Sequence, residues 1–271
     1  MPPPQAVAAV RDALSAAEDA LRAAGCDTPR LDAELLVAHA MGVGREALFM
    51  DPEAGLNSSA SRRAMELVRR RVAREPVANI LGTKGFRHIE LRVDRRVLIP
   101  RPETELLVEL ARESPPEARV HDVGTGSGAV ALALKHERPD LVVSASDASP
   151  DAVEVARANA AALGLDVPVD VAVGLPAGEY DMVLANLPYV REDEWGRLAP
   201  EITRYEPREA LVSGVDGLDA IRALVAGAPS GTQLVLEHAP DQGDAVRSLL
   251  RDALTHPDLA GRERATAGRA P

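Results

Sequence analysis

Apolar residues recur at one spacing in the first third of the chain and at another in the rest. Val7, Val10, Leu14 and Leu21 fall on one helical face, and Gly25 closes that stretch. Thr28-Pro29 reads as an N-cap followed by a first-turn proline, opening a second helix through Leu31, Leu35, Leu36 and His39. Gly42 and Gly44 break it. A further helix starts at Ser59 or Ser61, runs to Arg74 and stops before Pro76. Residues 1–76 therefore read as a small helical bundle. At 77–100 the period shortens: Ile89, Leu91 and Val93 alternate with Glu90, Arg92 and Asp94, the pattern of a β-hairpin linker. Pro102 then opens a helix carrying Leu106, Leu107 and Leu110 on one face.

From residue 119 short apolar runs alternate with helical stretches. Strands are expected at 119–123, 141–146, 167–173, 180–185 and 232–237. Helices are expected at 127–137, 150–163, 217–228 and 241–254. Such alternation argues for an α/β fold with a parallel sheet covered on both faces. Residues 265–268 read as a last edge strand. Residues 190–211, rich in Glu, Arg and Pro, read as a surface loop.

Composition narrows the class of protein. A hydrophobic content of 46% permits a sizeable core, but aromatics make up only 2%, so that core must be aliphatic. The formal net charge of -11 disfavours a surface that grips nucleic acid along its length. Cys26 stands alone, which leaves no internal disulfide and no cysteine metal cluster. The N-terminus has no signal-peptide pattern, and no run approaches the roughly 18 apolar residues of a membrane span. A soluble, cytoplasmic monomer is expected. His39, His88, His121, His136, His238 and His256 lack metal spacing and read as structural or surface residues, and Trp195 as packing.

Two segments carry candidate chemistry. Gly124-Thr125-Gly126-Ser127-Gly128 sits where a strand turns into a helix. Glycines there let the backbone approach a ligand, and the helix start offers free N–H groups. Asp147 ends the next strand, where a carboxylate can accept both hydroxyls of a ribose. Together they point to a ribose-bearing cofactor, either NAD or S-adenosylmethionine. The spacing G-x-G-x-G is not the dinucleotide pattern, and the second segment decides for the methyl donor. Asn186-Leu187-Pro188-Tyr189 follows the fourth strand. A primary amide has two hydrogens to donate. Asn186 Oδ1 can accept one and the Leu187 carbonyl the other, which fixes the –NH2 plane and returns electron density to nitrogen. Pro188 stiffens the turn, and Tyr189 can cover the flat group. Asn186, Pro188 and Tyr189 are thus the candidate catalytic residues, with Asn186 also beside the cofactor.

At these residues the chain resembles the protein-(glutamine-N5) methyltransferases, and most closely the release factor glutamine methyltransferases. The resemblance also rests on residues 75–82, on Pro100-Arg101-Pro102-Glu103-Thr104-Glu105, on Tyr205-Glu206-Pro207-Arg208-Glu209-Ala210-Leu211, on 216–219 and on 258–262. It implies a seven-stranded Rossmann-like class I methyltransferase sheet behind an N-terminal helical substrate-recognition domain (1–76) and a hairpin linker (77–100). It implies S-adenosyl-L-methionine as cofactor, held by Gly124, Thr125, Gly126, Ser127, Gly128 and Asp147. It implies methylation of the glutamine in the Gly-Gly-Gln motif of class I peptide chain release factors, held by Asn186, Leu187, Pro188 and Tyr189. Arg101 and Glu103 shape the site.

Three departures from the family pattern stand out. Leu187 replaces the usual proline, keeping the carbonyl. The 170–181 segment is short and lacks the usual acidic residue facing the adenine, for which Asp170 is the available substitute. Leu236-Glu237-His238-Ala239 differs after its Glu. Rival readings are glutamine methylation of a ribosomal protein, N6-adenine methylation of RNA, and cofactor binding without turnover. Asn-Leu-Pro-Tyr itself resembles the motif of ribosomal RNA adenine dimethylases, but those place their helical domain last. The run Arg62, Arg63, Arg69, Arg70, Arg71 and Arg74 reads as a solvated helix face that could also meet an acidic partner.

Overall fold

The computed structural model describes residues 9–271, so the expected helical position Val7 lies outside the described residues. The chain divides into two compact units, Met1–Gly82 and Thr83–Pro271.

The first unit is helical. It comprises α1 (Val10–Ala23), α2 (Pro29–Met41), α3 (Ala47–Met50), α4 (Ser58–Val72) and α5 (Val77–Leu81). Leu36, Val37, Leu48, Leu56, Leu67 and Ile80 form its core. Two caps differ from expectation. Thr28 precedes α2 but its hydroxyl donates to Asp32 Oδ1 (2.8 Å) instead of capping the helix. Asn57, not a serine, caps α4, its Oδ1 accepting from the Ala60 N–H at 2.9 Å. The arginine run is split between surface and interior. Arg71 is buried, with its Nε donating to the buried Asp32 at 2.7 Å. Arg70 forks onto Glu75, and Arg74 donates to the Ala24 and Gly25 carbonyls. A buried cation needs such partners, because desolvation without them is prohibitive. Arg62, Arg63 and Arg69 are the members that face water.

The second unit opens with a hairpin, β1 (Thr83–Phe86) and β2 (Ile89–Arg92), paired antiparallel. It is shorter than the expected 77–100 linker, because 77–81 is helical. It is not a free linker either. Phe86, Ile89 and Leu91 point inward into the same core as α6 (Glu105–Ala111) and α7 (Ala129–Glu137). The buried Asn159 ties it down further, accepting from the Arg92 N–H and donating to the Arg92 and Ser127 carbonyls.

The seven-stranded sheet contains β3 (Arg119–Val123), β4 (Val142–Asp147), β5 (Val169–Val171), β6 (Met182–Ala185), β7 (Gln233–Glu237), β8 (Arg251–Pro257) and β9 (Glu263–Arg269). Its order is β5-β4-β3-β6-β7-β9-β8. The first five strands pair in parallel, and β9 runs antiparallel to both β7 and β8. The central strands are buried on both faces, as parallel sheets require. Helices α8 (Pro150–Leu163), α9 (Pro200–Tyr205), α10 (Asp219–Gly227) and α11 (Gly243–Ser248) complete the unit.

Two expectations change at the C-terminus. The helix expected over 241–254 stops at Ser248, and Arg251–Pro257 is a strand. Leu249, Leu250 and Leu254 suit a helix by spacing, but pairing with β9 decides the conformation. Residues 265–268 do lie in a strand, yet β9 sits inside the sheet, and the half-exposed β8 is the edge. The loop expected over 190–211 contains short helical turns, α9 among them.

Candidate active site

The carboxyl ends of β3, β4 and β6 bring the two candidate segments together. At the end of β3 the backbone turns through Gly124 (φ 74°), Gly126 (φ 57°) and Gly128 (φ 86°). These are left-handed values that L side chains adopt only at a cost. A Cβ added at Gly126 would meet no atom within 4 Å, so the turn opens onto free space. Beneath it, Thr125 donates to the buried Asp122 at 2.6 Å. Burial pushes the Asp122 carboxyl up to about 6.

Asp147 is held from two sides. Its Oδ2 accepts from the Gly126 N–H and its Oδ1 from the Ser149 N–H, both at 2.9 Å. Ser149 itself caps α8 through the Ala152 N–H, so Asp147 is not needed as that cap. Each carboxylate oxygen keeps a second acceptor site. An oriented carboxylate beside an open glycine turn fits a cofactor with a vicinal diol and a chain reaching over the turn. Asp170 does not join them. It lies in register with Ser146, one residue short of the Asp147 level, and its side chain faces solvent 3.4 Å from Arg157. It therefore makes a poor substitute for the acidic residue that faces adenine.

Asn186-Leu187-Pro188-Tyr189 leaves β6 directly beside the glycine turn. The Leu187 side chain fills the space over Gly124, where a Cβ would come within 2.8 Å of it. Its carbonyl accepts no hydrogen bond among the described residues. Asn186 Nδ2 donates to the Thr104 hydroxyl at 2.9 Å, leaving Oδ1 unengaged. At the other end, the Tyr189 hydroxyl donates to Glu237 Oε1 at 3.2 Å, and the Tyr189 carbonyl accepts from Gln242 Nε2 at 3.0 Å. Gly217 makes room for that carbonyl: a Cβ there would lie 2.2 Å from it. The ring is thus anchored by both its hydroxyl and its backbone.

Glu237 is 1% exposed, and burial pushes its carboxyl up to about 7. The Thr104 hydroxyl, Arg264 and the Tyr189 hydroxyl favour its charged form, while Glu103 opposes it. Tyr189 is pushed upward in turn by burial and by Glu237. Glu103 itself lies 3.6 Å from Arg262. Arg101 pairs with the buried Glu206, whose Oε2 accepts from the Ile99 N–H at 3.0 Å. So 100–105 and 205–211, two segments that carry the family resemblance, hold each other. Trp195, in the following turn, is half-buried beneath the Arg208 guanidinium, 5.8 Å from its ring centre.

Sequence reasoning missed Thr104, Glu206, Gln242 and Gly217. Thr104, Glu206 and Gly217 lay inside segments already singled out, but no local pattern reveals which distant atom each one meets. Among the histidines, His121 bridges the Ser144 and Ser146 hydroxyls, and His238 bonds to the Thr266 hydroxyl and the Ala239 carbonyl. Both are structural.

Comparison with known proteins agrees with this architecture. Residues 12–82 match the family model for the PrmC N-terminal domain, and 102–211 match the methyltransferase small domain. The hMettl16 catalytic domain, solved with MAT2A 3'UTR hairpin 6, aligns with a TM-score of 0.50 and 15% identity, covering 66% of this chain and 75% of that one. At that identity it speaks for the fold alone. Proteins named release factor glutamine methyltransferase are far nearer in sequence. The one from Xylella fastidiosa is 42% identical over 89% of this chain and 94% of its own length. Those from Cereibacter sphaeroides and Deinococcus radiodurans are 41% and 39% identical, over 96% and 94% of this chain and 98% and 96% of their own lengths. With the helical unit, the sheet, the glycine turn and the Asn186 segment all in place, the chain belongs to the release factor glutamine methyltransferase family.

Proposed function

We propose that this protein methylates the side-chain amide nitrogen (N5) of a protein glutamine, the one in the Gly-Gly-Gln motif of class I peptide chain release factors. The observation that carries the chemistry is the fixed Asn186. With Nδ2 committed to Thr104, its Oδ1 is left to accept a hydrogen from an incoming amide. The Leu187 carbonyl accepts the second hydrogen. Those two bonds hold the –NH2 plane and favour lone-pair density on nitrogen, which amide resonance otherwise withdraws. Pro188 keeps the two acceptors at a fixed separation. The Tyr189 ring, anchored at both ends, covers the amide face and excludes water.

The cofactor is S-adenosyl-L-methionine, which supplies an activated methyl on a sulfonium. Gly124, Thr125, Gly126, Ser127 and Gly128 would hold its methionine end, Asp147 its ribose hydroxyls, and Asn186 would border it. The near full-length likeness to proteins named for release factors supports the substrate. Leu187 fits the same reading, because its side chain packs on Gly124 and its carbonyl stays available. We assign the helical unit to recognition of the release factor. The reading places the protein in the cytoplasm as a monomer acting on protein, not on nucleic acid. No helix of the described residues is long and apolar enough to cross a membrane.

The test is transfer of labelled methyl to purified release factor, wild type or with the motif Gln replaced. Label is expected on the wild type alone. Label that never appears, or that persists without the Gln, overturns the assignment.

A further inference from the structure

The hydrogen bonds that support the tetrapeptide have a direction. A hydroxyl or an amide can turn either way in a hydrogen bond, so Thr104 by itself does not enforce the observed orientation, in which Asn186 Nδ2 donates to it and Oδ1 faces outward. An ionised carboxylate has no such freedom, because it only accepts. Above about pH 7, where its buried carboxyl is ionised, Glu237 is that fixed point. Its Oε1 takes the Tyr189 hydroxyl proton. Its buried Oε2 has no partner within hydrogen-bonding geometry. The Thr104 hydroxyl lies beside the carboxylate and favours its charge. That hydroxyl proton is not used by Asn186 and is free to turn toward Glu237. Once it does so, Thr104 Oγ1 must accept, Asn186 must present Nδ2 to it, and Oδ1 must face outward.

We propose that Thr104 and Glu237 are positioning residues that set the polarity of the Asn186 amide: ionised Glu237 draws the Thr104 proton, and Thr104 thereby holds Asn186 with its oxygen toward the substrate amide. A single buried carboxylate thus secures both ends of the tetrapeptide, Tyr189 directly and Asn186 through one hydroxyl. The inference rests on the glutamine-methylation reading above, in which the substrate amide donates its hydrogens and needs the Asn186 oxygen outward. Charged and titratable groups facing Glu237 are Tyr189 from the β6 turn, Glu103 from the segment that carries Thr104, and Arg264 from β9. Arg264 helps keep Glu237 ionised; Glu103 works against it.

Thr104→Val keeps the shape and removes the hydroxyl, whereas Thr104→Ser keeps the hydroxyl. Wild-type transfer to the release-factor glutamine is measured first. Its absence would count against the functional reading itself and not specifically against the relay. With wild-type transfer in hand, Thr104→Val should lower kcat roughly tenfold to a hundredfold, with cofactor affinity by calorimetry unchanged. Thr104→Ser should restore most of kcat. The acid limb of the kcat–pH profile, set by ionisation of Glu237, should flatten in Thr104→Val. Wild-type kcat in Thr104→Val would overturn the inference. So would a Ser variant as slow as Val, or a Val variant that loses cofactor affinity along with kcat, since either would mark Thr104 as packing.

Discussion

The two halves of the candidate active site are held in place by different means. The glycine turn is built from its own neighbourhood: Gly124, Gly126 and Gly128 supply the backbone path, and Asp147, 21 residues beyond Gly126, locks it by accepting one N–H. The Asn186 segment has almost no local support. Thr104 lies 82 residues before its bond partner Asn186, while Glu237 and Gln242 lie 48 and 53 residues after Tyr189. A cofactor turn needs only a backbone conformation, which glycines encode in place. Presenting one oxygen of one amide needs side chains that converge from several strands. The cofactor half should therefore respond to backbone substitutions, and the tetrapeptide half to loss of single distant atoms.

The largest expected effect breaks the tetrapeptide half directly. Asn186→Ala should cost about 2–4 kcal/mol of transition-state stabilisation, read as kcat/KM, by analogy with deleting one preorganised hydrogen-bonding group. Unchanged turnover would remove Asn186 from the chemistry.

Next comes the burial of Glu237, where function and stability should pull apart. Its carboxyl is raised from an ordinary 4.5 to about 7, so the folded state binds this proton more tightly than the unfolded one. Its contribution to stability is then most favourable below about pH 4.5 and declines as pH rises toward 7. The gap corresponds to roughly 3 kcal/mol at most. Glu237→Gln removes that titration, so its melting temperature relative to wild type should climb between pH 5 and pH 8 while kcat falls. A Gln variant less stable than wild type at pH 8 would mean the carboxylate's hydrogen bonds outweigh its desolvation.

The smallest effect sharpens the other half. Gly126→Ala has open space for its methyl, so the left-handed φ is the main penalty, about 1 kcal/mol of stability. Titration calorimetry should show weakened S-adenosylmethionine binding, with kcat at saturating cofactor little changed. A variant that binds cofactor normally but turns over slowly would contradict the division of labour between the two halves.

Local features were legible because local physics fixes them. The 3.6-residue period marked α1, α2 and α4, and alternating strands and helices gave the parallel half of the sheet. The G-x-G-x-G turn, Asp147 and the Asn186 segment were picked out by residue type and by their places at strand ends, and in the fold they lie side by side. Where competing local signals existed, the sequence misled. Leucines at 249, 250 and 254 imitate a helix, yet Arg251–Pro257 is an edge strand because β9 offers it backbone partners. The hairpin looked like a linker until Phe86, Ile89 and Leu91 entered the core. The arginine run looked solvated, yet Asp32 draws Arg71 inside.

The sequence by itself determined the α/β class and the two candidate site segments, the glycine turn and Asn186–Tyr189, because each depends on residues close in the chain. Only the tertiary structure decided that Thr104 faces Asn186, that Glu237 is buried behind Tyr189, and that Leu187 rests on Gly124 with its carbonyl unengaged. Those facts depend on which strands lie side by side. Sheet order is set by burial summed over the whole unit, and no short segment of sequence carries it.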